Sequence, residues 1–285
     1  MKKMYKLSLF LILLLLTFTS YCQDNLKLIS PENIEIDSDL IKSCRVDLVD
    51  NYGGNGYTSI DHGIYDGKHV LIIQSWYLQA TNYLDYTVVD ANTFEVLYRT
   101  APIQGHIPDV QNEEGDTAIQ QYKNGKHILT HYIKGKANSK EVNGPKAFNI
   151  AIVPHLFASM DLKKGVNFKL RTLSLYDGNV AEPEFEVSGT KKVKDENGKT
   201  HTVWVVDNVH QRAPKGHPKE GVIVAKTSYL ISKEAPYYLG MEMYQIKSKD
   251  DFTLQKGYTQ KARSFNIVDK APSGKDIVAF LKSNQ

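Results

Sequence analysis

Cysteine is nearly missing from this chain: 285 residues contain two, Cys22 and Cys44. If the first belongs to a removed leader, no internal disulfide can form, and Cys44 reads as a half-buried strand residue before Arg45. A Gly-x-Ser-x-Gly elbow is absent, as is any Cys-His motif in a catalytic context, so nucleophilic catalysis has no sequence support. There is no Gly-, Ser- or Pro-rich linker, which favours one domain over two. A basic block is also lacking, and with it the electrostatic footprint expected for nucleic acid.

The first residues carry a tripartite pattern. Lys2, Lys3 and Lys6 precede the apolar run Leu7 to Phe18, and small and polar residues follow. That is the form of a secretory signal peptide. The run is shorter than the roughly 20 residues a membrane span needs, so the chain is not expected to span a membrane. The expected leader is 1–22, cut between Cys22 and Gln23, with the product exported to the periplasm or outside the cell. Lipidation of Cys22 is the rival, weakened by bulky Tyr21 directly before it. Without the leader's three lysines, 32 basic residues face 32 acidic ones, so the positive balance belongs to the leader.

What the chain does contain is strand pattern. From Phe185 to Lys247 apolar and polar residues alternate with a period of two, the mark of pleated strands with one apolar face. Phe185, Val187, Gly189, Lys191 and Val193 alternate with polar partners. Ile223, Ala225, Thr227, Tyr229 and Ile231 share one face. Val70-Leu-Ile-Ile73 reads as a strand buried on both sides. Asp66-Gly67, Asn124-Gly125 and Asn197-Gly198 predict hairpin tips, the last two as two-residue turns with positive φ. The glycines of Asn51–Gly56 form a turn, not a phosphate cradle, because another strand pattern follows them. Pro154 predicts the first position of a short helix. Ser273 and Asp276 predict the cap of a short C-terminal helix carrying Ile277, Phe280 and Leu281. The expected fold is mainly β: a long curved antiparallel sheet or half-open barrel with one or two short helices, over a single domain 23–285.

Asp161-Leu-Lys-Lys-Gly165, Val166-Asn-Phe-Lys-Leu170, Phe185-Glu-Val-Ser-Gly189, Val203-Trp-Val205 and Thr227-Ser-Tyr-Leu-Ile-Ser232 occur in an order that resembles exported bacterial proteins of the domain-of-unknown-function 3108 type. The resemblance covers about residues 150–250 and departs at the long basic insertion Gln211 to Gly221. It implies a curved sheet like that of lipoprotein carriers. It brings no catalytic residues with it.

Candidate chemistry is sparse. His127 and His131 share a strand face, and His210 and His217 flank a polar loop, but a zinc site needs three converging ligands or more. Glu113-Glu114-Gly115-Asp116 does not match a calcium-loop spacing. No metal, cofactor or catalytic residue is therefore assigned. The remaining signal is apolar surface: Phe168, Leu170, Ile223, Tyr229 and Ile231 form the candidate ligand face, with Met241 and Met243 as adaptable neighbours. The expected function is non-catalytic binding of a lipid or other apolar or amphipathic envelope component. The alternatives are a hydrolase or metal-dependent enzyme built on the loops 106–116 and 211–221, and a structural module of the envelope.

Overall fold

The computed structural model describes residues 26–34, 36, 41–77, 83–103, 113, 115–195, 197–248 and 250–268. The expected leader, the expected C-terminal helix and most of the loop 104–114 lie outside the described residues.

The strands, in chain order, are β1 (Lys27–Ile29), β2 (Ser43–Asp50), β3 (Asn55–Tyr65), β4 (Lys68–Tyr77), β5 (Tyr83–Asp90), β6 (Val96–Pro102), β7 (Thr117–Lys123), β8 (Lys126–Ile133) and β9 (Lys136–Asn143). A 3-10 turn (Ile150–Ile152) and a helix, α1 (Val153–Ser159), follow. The chain then forms β10 (Asn167–Leu170), β11 (Thr172–Leu173), β12 (Val180–Ala181), β13 (Glu184–Lys194), β14 (Thr200–Arg212), β15 (Ile223–Ile231), β16 (Tyr238–Ile246) and β17 (Leu254–Val268).

Fifteen of these strands make one sheet, ordered β1-β10-β13-β14-β15-β16-β17-β2-β3-β4-β5-β6-β7-β8-β9, while β11 and β12 pair separately. It consists of two up-and-down meanders, β2–β9 and β13–β17, joined where β17 pairs antiparallel with β2. The parallel pair β1–β10 extends the second meander. The sheet is open, with β1 and β9 at its edges. The mainly β, long curved antiparallel fold expected from the alternation is the one found.

Curvature follows from what the sheet encloses. The connection from β9 to β10 crosses one face and lays α1 against it. Val153, Leu156 and Phe157 of α1 are buried in one core with Val46, Ile60 and Leu71 from the first meander, Phe185 and Val206 from the second, and Phe168 from β10. Distant parts of a sheet can share one helix as core only if the sheet bends around it. The helix starts one residue earlier than expected, at Val153, so Pro154 takes the second position, where its missing N–H is equally harmless. At the other end Lys233 Nζ donates to the carbonyls of Ala158 (2.9 Å) and Met160, satisfying acceptors that the helix leaves open.

Val70, Leu71, Ile72 and Ile73 are all buried. Leu71 and Ile73 enter the main core, whereas Val70 and Ile72 join Tyr86, Val88 and Tyr98 in a separate cluster, as a strand covered on both sides requires. A smaller core of Ala101, Ala118, Leu129, Leu173 and Leu175 lies where the β11–β12 segment covers β6 to β8.

Asn124-Gly125 is the expected two-residue tip, with φ 51° and 78°, and it closes the Lys123–Lys126 pair. Asn197-Gly198 differs. Asp195 N–H donates to the Lys199 carbonyl (3.0 Å) and Gly198 N–H to the Asp195 carbonyl (3.1 Å), so three residues make the tip and Gly198, not Asn197, takes positive φ. The flanking Asp195 drives this: its carboxylate accepts from Lys199 N–H (3.0 Å) and from His201, locking a longer loop. Gly240 serves another purpose. A Cβ there would stand 2.0 Å from the Gln260 carbonyl oxygen, so glycine lets β16 and β17 approach.

Candidate functional site

The alternation that marks β10 as a strand turns Phe168 and Leu170 inward and leaves Asn167 outside. Phe168 stacks on Phe185 of β13 (centroids 5.7 Å apart), and Phe157 of α1 meets both rings edge-on at 5.8 and 5.1 Å. Tyr229 approaches Phe157 from β15 at 6.2 Å. Leu170 and Ile231 are wholly buried in the same core, and Ile223 lies half-buried at the start of β15, opposite Arg212. The structure therefore brings four of the five sequence-selected residues into one core, Phe168 and Tyr229 directly against Phe157, with Ile223 apart.

An open cleft of about 470 Å³ reaches this cluster where α1 ends. Ile29, Leu162, Phe168 and Val187 form its buried floor, and Ile34, Met160 and Val166 its partly open wall. Lys27, Asn33, Asp161 and Lys163 stand at its edge. Local hydrogen bonds hold the walls. Gly165 N–H donates to the Val187 carbonyl (2.8 Å) and Val187 N–H to Val166 (3.0 Å), pinning the turn before β10 onto β13. Ser30 N–H donates to Asn33 Oδ1 (2.9 Å) and Asn33 Nδ2 to the Leu28 carbonyl (2.9 Å), which fixes the turn carrying Ile34. Of the sequence-selected residues only Phe168 lines the cleft. Ile29, Ile34, Met160 and Leu162 carried no periodic signal, because they lie on a three-residue strand, a turn and a helix exit.

The first meander adds buried polar groups to the enclosed face beside its apolar ones. His155 on α1 is fully buried, with Nε2 3.0 Å from Thr58 Oγ1, itself 3.3 Å from Ser75 Oγ. Arg99 and Asp85 form a buried pair (2.5 Å), Thr87 Oγ1 donates to Asp85 (2.8 Å), and Asn149 Nδ2 donates to Thr87 (3.0 Å). These bonds tie the segment around α1 to β3 through β6. Burial strips the imidazolium of hydration and pushes the His155 pKa from its ordinary 6.5 down to about 4.

The unfolded chain therefore binds this proton at a pH where the folded one does not, and stability falls as pH drops through that window. Between pH 6.5 and 4 the expected loss is about 3 kcal/mol. Denaturation midpoints across that range should show it. His155→Gln should flatten the pH dependence over the same window, and an unchanged slope would refute the assignment.

His127 and His131 do share a face, but neither is a solvated strand-edge residue. His127 is fully buried, Nε2 3.3 Å from the Pro145 carbonyl, and His131 Nε2 lies 3.1 Å from the Leu175 carbonyl. His127 thus fastens the crossing segment to β8, and His131 fastens the loop between β11 and β12 to it. Burial lowers the His127 pKa, against a smaller opposing hydrogen bond to Pro145. His210 binds Thr227 Oγ1 (2.7 Å), and His217 packs on Phe252 at 4.9 Å. Among the described residues no group of three or more His, Cys, Asp or Glu could hold a metal ion. No described helix is long and apolar enough to cross a membrane.

Comparison with protein families, curated proteins and solved structures finds no match to this chain.

Proposed function

We propose that the protein is an exported, non-catalytic binder of an amphipathic, lipid-like molecule, taken up in the cleft between β1, the end of α1 and β10. The observation that carries this is the cleft itself: about 470 Å³, with seven apolar side chains in its lining and two lysines at its edge. That size and lining suit a small ligand with an apolar body, and Lys27, with Lys163 beside its ion-pair partner Asp161 (3.0 Å), suits an acidic head. Met160 supplies an adaptable wall for chains of differing shape.

The test uses anilinonaphthalene sulfonate, an amphipathic anion. Phe168→Asp would place a carboxylate in the core and unfold the protein, whereas Val166 is 44% exposed and can be changed without that cost. Val166→Asp should weaken probe binding at least about tenfold, since a charge beside the apolar wall must then be desolvated by the ligand. The near-ultraviolet circular dichroism should stay unchanged. Equal probe affinity in the folded variant would refute the cleft as the site.

A further inference from the structure

Both faces of the first meander are buried, but the described residues supply a cover for one of them only. The connection from β9 to β10, with α1 and the β11–β12 pair, packs on the face that carries Leu71, Ile73, Ala101 and Leu129. The opposite face carries Val70, Ile72, Tyr86, Val88 and Tyr98, which are between 0% and 7% exposed. Tyr65, Leu97 and Ile119 pack against them, so every apolar residue of this cluster comes from a strand of the one sheet. Side chains that stand next to one another on a sheet do not shield each other from above. Tyr86 and Tyr98, each 4% exposed, must lie beneath another part of the chain or a partner.

The segments outside the described residues differ in what they can reach. Residues 1–22 are the expected leader. Residues 37–40 are flanked by Ile36 and Ile41, which pack in the main core on the other face. Residues 78–82 link β4 to β5 at the end of those strands far from Val70, and 104–112 leave from Ile103, part of the smaller core on the other face. Residues 269–285 start in the right place. Val268 pairs with Ser43, next to the Cys44–Ile60 pair, which sets it level with the row Asp61, Ile72, Val88 and Tyr98.

This segment needs a surface as much as the sheet needs a cover. With Ser273 as its cap, Ile277, Phe280 and Leu281 fall on one side of a helix and Lys275 and Lys282 on the other. A helix so short is not stable in water unless its apolar side packs on something. From residue 274 to 283 it measures about 15 Å, and the three strand spacings from β3 to β6 come to about 14 Å. The link 269–273 spans at most about 17 Å, which reaches β3 and β4. The other face of those strands is already filled by α1.

We propose that residues 269–285 form an amphipathic helix that crosses β3 to β6 and covers this patch, with Ile277, Phe280 and Leu281 turned toward the tyrosine rings. The first meander is then closed on both faces by its own chain, by α1 on one side and by this helix on the other.

To test this, Phe280 is replaced in the full chain by the photoreactive p-benzoylphenylalanine, and the crosslinked peptides are mapped by mass spectrometry. Intramolecular attachment at Tyr65, Ile72, Tyr86, Leu97 or Tyr98 is expected. Attachment elsewhere in the chain, or none, overturns the proposal. Attachment between two chains assigns the patch to a second copy and overturns it as well. Nitration with tetranitromethane then reads the cover itself. In the parent, Tyr86 and Tyr98 should react far more slowly than Tyr52, which is 71% exposed. Phe280→Asp with Leu281→Asp should speed both at least about tenfold, because docking would now bury two charges in place of two apolar side chains. Tyr237, buried in the main core, should stay protected. Equal rates in parent and variant overturn the proposal. If Tyr237 gains reactivity too, the variant has unfolded and the crosslink map alone decides.

Discussion

Phe157→Ala should destabilise the protein by about 3–5 kcal/mol, the range for truncating a large buried aromatic. Phe157 is the ring on which Phe168, Phe185 and Tyr229 converge, and it has no exposed surface. The loss has two parts: the transfer energy of the missing ring and the cavity left where three strands and a helix meet. Little collapse can fill that space, because β10, β13 and β15 are each held in hydrogen-bonded ladders. Urea denaturation should show a lower midpoint with an unchanged slope. A loss below about 1 kcal/mol would mean that α1 is not a core element.

Arg99→Met should cost about as much, 3–5 kcal/mol, for a different reason. Asp85 is almost completely buried, and removing Arg99 takes away the guanidinium 2.5 Å from its carboxylate in a low-dielectric interior. The double change Asp85→Asn with Arg99→Met removes the charge along with its partner and should recover part of the loss. Chemical denaturation of both variants decides the matter. Equal stability of the single and double variants would show that the charge itself is not what the partner offsets.

Alternation made the strands of the second meander legible, and Asn-Gly and Asp-Gly made several tips legible, because both report local backbone demands. β9 was not legible. Its sequence, Lys-Ala-Asn-Ser-Lys-Glu-Val-Asn, has no apolar face, since an edge strand exposed along nearly its whole length has nothing to bury. Its lysines also discourage pairing with another chain. Lys134-Gly135 closes the β8–β9 hairpin with positive φ at both residues, but lysine gives no turn signal at that position.

The site was legible only in part. Phe168 stood out by strand period, whereas its companions come from β1 and the exit of α1, and only three-dimensional proximity joins them. The buried state of His127 was hidden for the same reason: the segment covering it returns from positions 145 and beyond.

The junction of the two meanders governs how the chain can assemble. Each hairpin of β2–β9 closes between neighbours in sequence, so that half can form as soon as it is made. The edge of β2 cannot. Its partner is the last described strand, and Ser264 meets Asp47 across 217 residues. Until β17 arrives, β2 presents an unsatisfied ladder with Val46 and Leu48 beside it, a template for any extended segment nearby. Contacts this distant in sequence are slow to close. The final strand thus acts as a latch, and a chain truncated before residue 254 should present an open edge and self-associate.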